Sequence, residues 1–373
     1  MKIALYNLTS TTKFGGVESF VWDLGRELAR RGHQVDLIGG NGTRREHAEH
    51  VRALTFPFIS RDTFQRIPPL RRAYAEAKLL ERLTMGFTAL PHLVRHHYDI
   101  IHIHKPYDMG PALLARRLTG ARVILGCHGE DFYRGDRLLA RHMDDAVSAS
   151  AFNAATVAKH YGFTPKVVFN GIDTQLFRPG PADPEIAALR TAGQPLLLWV
   201  GRFQPWKGVD TAIEAIARLP NARLLIVGDG QERQNLEQLS QRRGLSERVL
   251  FLGALPRTRL PGVYAACDLL LATSFASETF GIGPVEAQAC GLPVVASRFG
   301  GFPEVIDEGR TGLLYPPRDH AALADTIQQL IDHPEQRRAM AAAAPAWASQ
   351  FAWSAVTDRV EAVYRQVIAT ARR

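Results

Sequence analysis

Apolar runs of four or five residues alternate with longer amphipathic stretches along almost the whole chain, and this rhythm constrains the fold more than any other feature. The runs at 3–6, 35–38, 100–104, 123–126 and 167–169 read as strands. The stretch 17–30, with Phe20, Val21, Leu24 and Leu28 on one face, reads as a helix. After residue 190 the rhythm restarts, with strands at 196–200, 224–227, 249–252, 269–272 and 294–297 and helical patterns at 210–218, 232–243 and 284–289. Continuously apolar strands separated by helices mean parallel sheets covered on both faces. The expected fold class is therefore α/β, with two Rossmann-like, doubly wound parallel-sheet domains. The Pro- and Gly-rich stretch 177–185 between the halves is the expected linker. Two such domains facing each other would place the carboxyl ends of both sheets at a central cleft, where ligands of such sheets bind.

Length and composition agree with two domains of a soluble globular protein: 373 residues, 46% hydrophobic and 22% charged. The three cysteines, Cys127, Cys267 and Cys290, are scattered and form no CxxC pair. That excludes a disulfide framework, argues against structural zinc and fits a reducing compartment. The first apolar run is shorter than the roughly 7–15 residues of a secretory signal core. No window reaches the roughly 18 apolar residues of a membrane span. A cytoplasmic protein is expected. The net charge of +8 is unevenly spread: through Asn170 there are 24 Lys and Arg against 16 Asp and Glu, and the remainder balances. The basic half either solvates its surface or meets something anionic, such as phospholipid or a lipid phosphate. Nucleic acid ranks last, because the basic residues follow no nucleic-acid motif and are not interleaved with aromatics. Residues 61–83 mix Arg66, Arg71 and Arg72 with Phe64, Ile67, Leu70 and Tyr74. They read as an amphipathic helix on a membrane surface or as a solvated insertion.

Four constellations carry possible chemistry. In 277–297, Glu278 and Glu286 flank a Gly-containing turn, Phe280, Gly281, Ile282 and Gly283, that leads into Pro284. Pro284 suits the first position of a helix, which places Glu286 in the first turn. The unbonded N–H groups of such a helix start form an anion site. In 200–215, Arg202 and Lys207 follow a strand and precede a helix opened by Gly208. A planar fork beside a mobile ammonium suits a diphosphate. This is not a P-loop, because Lys207 precedes its glycine and no Ser or Thr follows. In the first half, Lys13, Phe14, Gly15, Gly16 and Val17 join the first strand to its helix, and glycines there allow close backbone approach to a phosphate. Finally, His128 stands in the stretch 126–131 at the carboxyl end of a strand. Singly, each reading competes with an ordinary structural one; in combination they are specific.

Together these motifs, with 167–179 and 300–317, resemble the family 4 retaining glycosyltransferases, the glycogen-synthase-like group with the GT-B fold. The resemblance covers nearly the whole chain. It implies that Glu278 binds donor-sugar hydroxyls and that backbone N–H groups around Phe280, Gly281 and Ile282 hold sugar and phosphate. Glu286 would bind ribose. Arg202 and Lys207 would neutralise the leaving diphosphate, Gly15 and Gly16 would approach that diphosphate, and His128 would lie beside the reacting sugar. It also implies that the final helix returns to the first domain. The expected domains are then 1–177 plus 354–373, holding the acceptor, and 178–353, holding the donor. The stretch Ile282, Gly283 and Pro284 departs from the larger aliphatic residues more common in the family.

The expected reaction moves a hexose-type sugar, with retention, from a nucleotide-sugar, UDP-linked in the first instance, to a glycan or lipid-linked acceptor of the cell envelope. GDP-mannose is the alternative donor. No DxD occurs in the chain, so no metal and no cofactor is expected and cationic side chains would do the electrostatic work. An anionic acceptor at the inner face of a membrane would fit the basic half. Among rivals, a dehydrogenase would need GxGxxG after the first strand, where this chain has Phe14, Gly15, Gly16 and Val17. A non-catalytic sugar-nucleotide-binding protein, an epimerase or a phosphorylase on the same fold are the remaining rivals.

Overall fold

The structure, a computed structural model, describes residues 1–13, 15–42 and 49–371. It divides into two compact units, unit 1 comprising Met1–Gly171 with Trp353–Arg373, and unit 2 comprising Ile172–Ala352. Five helices matter below: α1 (Gly16–Arg30), α2 (Tyr74–His96), α3 (Val209–Ala217), α4 (Ile282–Ala289) and α5 (Trp353–Ala371).

Among the described residues, unit 1 holds seven parallel strands, β1 (Lys2–Tyr6), β2 (Gln34–Gly40), β3 (Val51–Phe56), β4 (Ile100–Ile103), β5 (Arg122–Cys127), β6 (Asp145–Ser148) and β7 (Lys166–Val167). Their order is β3-β2-β1-β4-β5-β6-β7, so the winding reverses between β1 and β4. Ile3, Ala4, Leu5 and Tyr6 are all solvent-free, as burial on both faces of a parallel sheet requires. On one face, Ile3, Leu5, Ile100 and Ile124 pack with Leu24 and Leu28 of α1 and with Val356, Val360, Val363 and Tyr364 of α5. The last helix thus completes the core of unit 1, tied at its edge by Arg31 to Asp358 at 2.6 Å and His33 to Glu361 at 2.9 Å.

Unit 2 holds six parallel strands, β8 (Leu196–Val200), β9 (Arg223–Val227), β10 (Val249–Gly253), β11 (Leu269–Ala272), β12 (Val294–Ser297) and β13 (Gly312–Tyr315), in the order β10-β9-β8-β11-β12-β13. Here the winding reverses between β8 and β11. In both sheets the loops at the reversal leave on opposite faces and open a crevice at the carboxyl ends.

Two expectations need correction. The stretch 177–185 is not a free linker: Phe177 is buried in unit 2, under the Arg257 guanidinium at 5.2 Å. Its aromatic ring gains more from burial than an exposed hinge could offer, so the division falls earlier, at Gly171 and Ile172. Nor are residues 61–83 one amphipathic helix. A single helical turn, Arg61–Phe64, ends before the Pro68–Leu70 turn, and α2 begins only at Tyr74. Pro68 and Pro69 lack the N–H groups that a continuous helix needs. Within α2, Lys78, Glu81 and Arg82 point inward, Arg82 meeting Asp108 at 2.5 Å. Burial pushes the Asp108 carboxyl up to about 6 against the pull of Arg82. Arg66, Ile67, Arg71, Arg72 and Tyr74 remain exposed.

Candidate active site

In unit 2 the loops after β8 and β11 supply the side chains. After β8, Arg202 is exposed and Lys207 ends the short Pro205–Lys207 turn. Gly208, at φ +65°, then caps α3, and a Cβ there would stand 2.3 Å from the Thr273 carbonyl. Only glycine lets the two loops close this tightly. The loops are further joined by hydrogen bonds: Thr273 Oγ1 donates to the Lys207 carbonyl at 2.8 Å and accepts from Trp199 Nε1 at 3.0 Å. Lys207 Nζ consequently meets Glu278 Oε2 at 2.7 Å, and Ser274 Oγ donates to the same oxygen at 3.2 Å. Ser277, just before Glu278, holds φ at +52°, local strain of the kind that clusters at functional sites.

The chain then turns into α4 through Gly281. The helix opens at Ile282, two residues before the proline expected to open it, so Pro284 is its third residue. Ile282 and Gly283 present the unbonded N–H groups of its first turn. Glu286 therefore lies beyond the first turn, buried, with Arg257 at 3.1 Å from its Oε1. Phe280 is buried with its ring edge-on to Phe351, so it can offer a ligand only its backbone. Lys207, Glu278 and the α4 start are thus brought together by the β8–β11 adjacency.

In unit 1, Gly15 and Gly16 open α1 as expected, while Phe14 lies outside the described residues. A Cβ on Gly15 would stand 2.4 Å from Glu18 Oε2, so the chain's own carboxylate sits at this helix start. His128 follows β5, half-buried, with Phe20 edge-on at 4.9 Å. Burial, aided by Lys105, pushes its imidazole down to about 3. Nearby, Asp131 takes hydrogen bonds from Lys78 at 2.6 Å and from Lys105. Burial alone would raise its carboxyl, but the two ammonium groups hold it well below the usual range. Lys105, Ser274 and His104 escaped the sequence reading. The one local signal was His102-x-His104, which puts two imidazoles on one face of a strand. The three thiols are buried, and burial pushes Cys127 and Cys290 up to about 12.

Two doubly wound parallel sheets, the crevice of one lined by a Lys–Glu pair beside a helix start, fit the expected GT-B fold. Residues 14–176 match the profile described as Glycosyltransferase Family 4, and residues 182–347 that of Glycosyl transferases group 1. The chain belongs to glycosyltransferase family 4. It is 30% identical to the D-inositol 3-phosphate glycosyltransferase of Corynebacterium efficiens, over 94% of this chain and 90% of that one. Among solved structures it is similar to Anabaena HepE in complex with UDP, with TM-score 0.78 and 26% identity over 98% of this chain and 100% of that one. The same protein in complex with UDP-glucose gives TM-score 0.76 and 25% identity over 98% and 100%. Among the described residues, no helix is long and apolar enough to cross a membrane.

Proposed function

We propose that this chain transfers a hexose-type sugar from a UDP-sugar, with retention and without a metal, to a glycan or lipid-linked acceptor in the cytoplasm. The observation that carries the reading is the Lys207–Glu278 pair at 2.7 Å beside the first turn of α4. A sugar diphosphate needs hydroxyl acceptors at one end and cations with N–H donors at the other, and this crevice offers both within one loop pair. The likeness to HepE, solved with UDP-glucose, supports uridine over guanosine.

In this reading Glu278 takes donor hydroxyls, while Arg202 and Lys207 hold the diphosphate. Backbone N–H groups from Gly281 to Gly283 complete that hold, and Glu286 serves the ribose. His128 serves the sugar, and Gly15 and Gly16 the diphosphate. The acceptor oxygen bonds to the anomeric carbon on the face that the phosphate leaves. The bond from that carbon to the phosphate oxygen breaks, and the departing phosphate takes the acceptor proton. No carboxylate pair of glycosidase type is needed. Arg66, Arg71 and Arg72, exposed beside Ile67 and Tyr74, are the proposed contact with anionic membrane. A saturation-transfer screen over UDP- and GDP-sugars, followed by NMR of the product's anomeric configuration, tests the proposal. Binding of GDP-sugars alone overturns the donor, and an inverted product overturns retention.

A further inference from the structure

His104 follows β4, and its Nδ1 lies 3.1 Å from His128 Nε2. We infer that His104 is a positioning residue, which donates from Nδ1 to His128 Nε2 and so holds neutral His128 with its single proton on Nδ1. His128 then meets its ligand as a hydrogen-bond donor and not as a base. The inference rests on the proposed role of His128 at the donor sugar.

The direction of the bond follows from the other side of the His104 ring. Its Nε2 is buried, and among the described residues no hydrogen-bond partner reaches it. A neutral imidazole carries one proton. If that proton sat on Nε2, the ring would bury an unpaired N–H, and orphaned buried donors are rarer than under-used acceptors. Placing the proton on Nδ1 leaves only a bare lone pair. The neighbouring His102 repeats the pattern. Its Nδ1 is 2.7 Å from the Tyr364 hydroxyl on α5, and its Nε2 is likewise buried without a partner among the described residues.

Both partners of the 3.1 Å contact stay neutral. Burial pushes His104 well below its ordinary value, with His102, His128, Lys105 and Arg82 adding to the effect. The rings are also fixed in place. Phe20 stands edge-on to both, at 5.8 Å from His104 and 4.9 Å from His128. Gly126 lies under them: a Cβ there would come within 3.0–3.1 Å of His104 Nδ1, His102 Nε2 and His128 Nε2 at once. His128 also lines a small cavity with Lys105 and Asp131, so the ring reaches accessible space.

The test is long-range proton–nitrogen NMR on the full chain with 15N-labelled histidine. His128 should show the Nδ1–H pattern and stay neutral from pH 8 to about pH 5. His104→Leu should shift it toward Nε2–H or a mixture, whereas His104→Asn, whose amide can donate from near the Nδ1 position, should preserve it. With UDP-glucose as probe, sugar release should fall up to about tenfold in His104→Leu, equivalent to one neutral hydrogen bond, with little change in KM. His104→Asn should restore it. An Nε2–H pattern in the wild type, which needs no variant to fold, overturns the inference. So does an unchanged pattern in a folded His104→Leu. Correct tautomers without turnover of any nucleotide-sugar would sink the transferase reading and leave this relationship standing.

Discussion

Lys207 and Glu278 lie 71 residues apart in the chain, and their charged atoms meet at 2.7 Å. In the proposed reading, a diphosphate entering the crevice would compete with a carboxylate for the ammonium group, and the sugar would compete with the ammonium for the carboxylate. Lys207→Ala and Arg202→Ala should each lower turnover about ten- to a hundredfold, the worth of one charge-assisted hydrogen bond. Both side chains are at least partly exposed, so urea midpoints should barely move. Steady-state kinetics beside equilibrium unfolding checks this, and full activity in the double variant overturns the assignment.

Nucleotide binding should survive chelation. The chain has no DxD motif, and Lys207 meets Glu278 just ahead of the α4 start. Calorimetry with UDP should give the same Kd with and without EDTA. Loss of binding that magnesium restores would refute a metal-free site.

Gly208→Ala should damage both stability and activity. The left-handed backbone alone costs an alanine about 1–2 kcal/mol, and its Cβ would press on the Thr273 carbonyl. Since Lys207 is the preceding residue, its distance to Glu278 should change as well. Comparison with Gly193→Ala controls for the backbone cost, since that glycine also has positive φ but open space around it.

Acid should destabilise unit 1 through its buried imidazoles. Burial takes His102 down to about 3, whereas in the unfolded chain it titrates near 6.5. Between these values the unfolded state binds more protons, so the contribution is complete above about pH 6.5 and lost as pH falls toward 3. Each such histidine should cost roughly 1.4 kcal/mol per pH unit in that window. Asp108 acts oppositely, because its carboxyl is raised to about 6 and favours the folded state at lower pH. Urea midpoints from pH 7 to 5 should therefore fall, and His102→Asn should flatten the slope. A flat wild-type profile would refute the buried neutral state.

Membrane contact is tested by co-sedimentation. Wild type should bind anionic but not zwitterionic vesicles, and salt should weaken binding. Replacing Arg66, Arg71 and Arg72 with Glu should release the protein without affecting UDP binding. Indifference to anionic vesicles at low salt ends this part of the proposal.

Strands buried on both faces were the most legible elements, and 196–200, 269–272 and 294–297 match the structure residue for residue. β3 was missed because it is an edge strand, half exposed, with Arg52 reaching back to Asp36. Short β6 and β13 begin with Asp145 and Gly312, residues depleted from strands. Proline chemistry misplaced the start of α4, because Gly281 opens the helix two residues earlier. The site's loops could be read singly, but the contact between Lys207 and Glu278 depends on β8 lying beside β11. Strand order is a property of the whole sheet, and no local window contains it.

The return of α5 to unit 1 imposes an order of events on synthesis. When the ribosome has passed residue 171, the sheet face that will receive Val356, Val360 and Tyr364 carries α1 but still lacks α5. Unit 2 is contiguous and can close while that face waits. The earlier-made half is therefore the later to finish, and while about 180 further residues are translated its apolar face stays incompletely covered, a condition that favours aggregation.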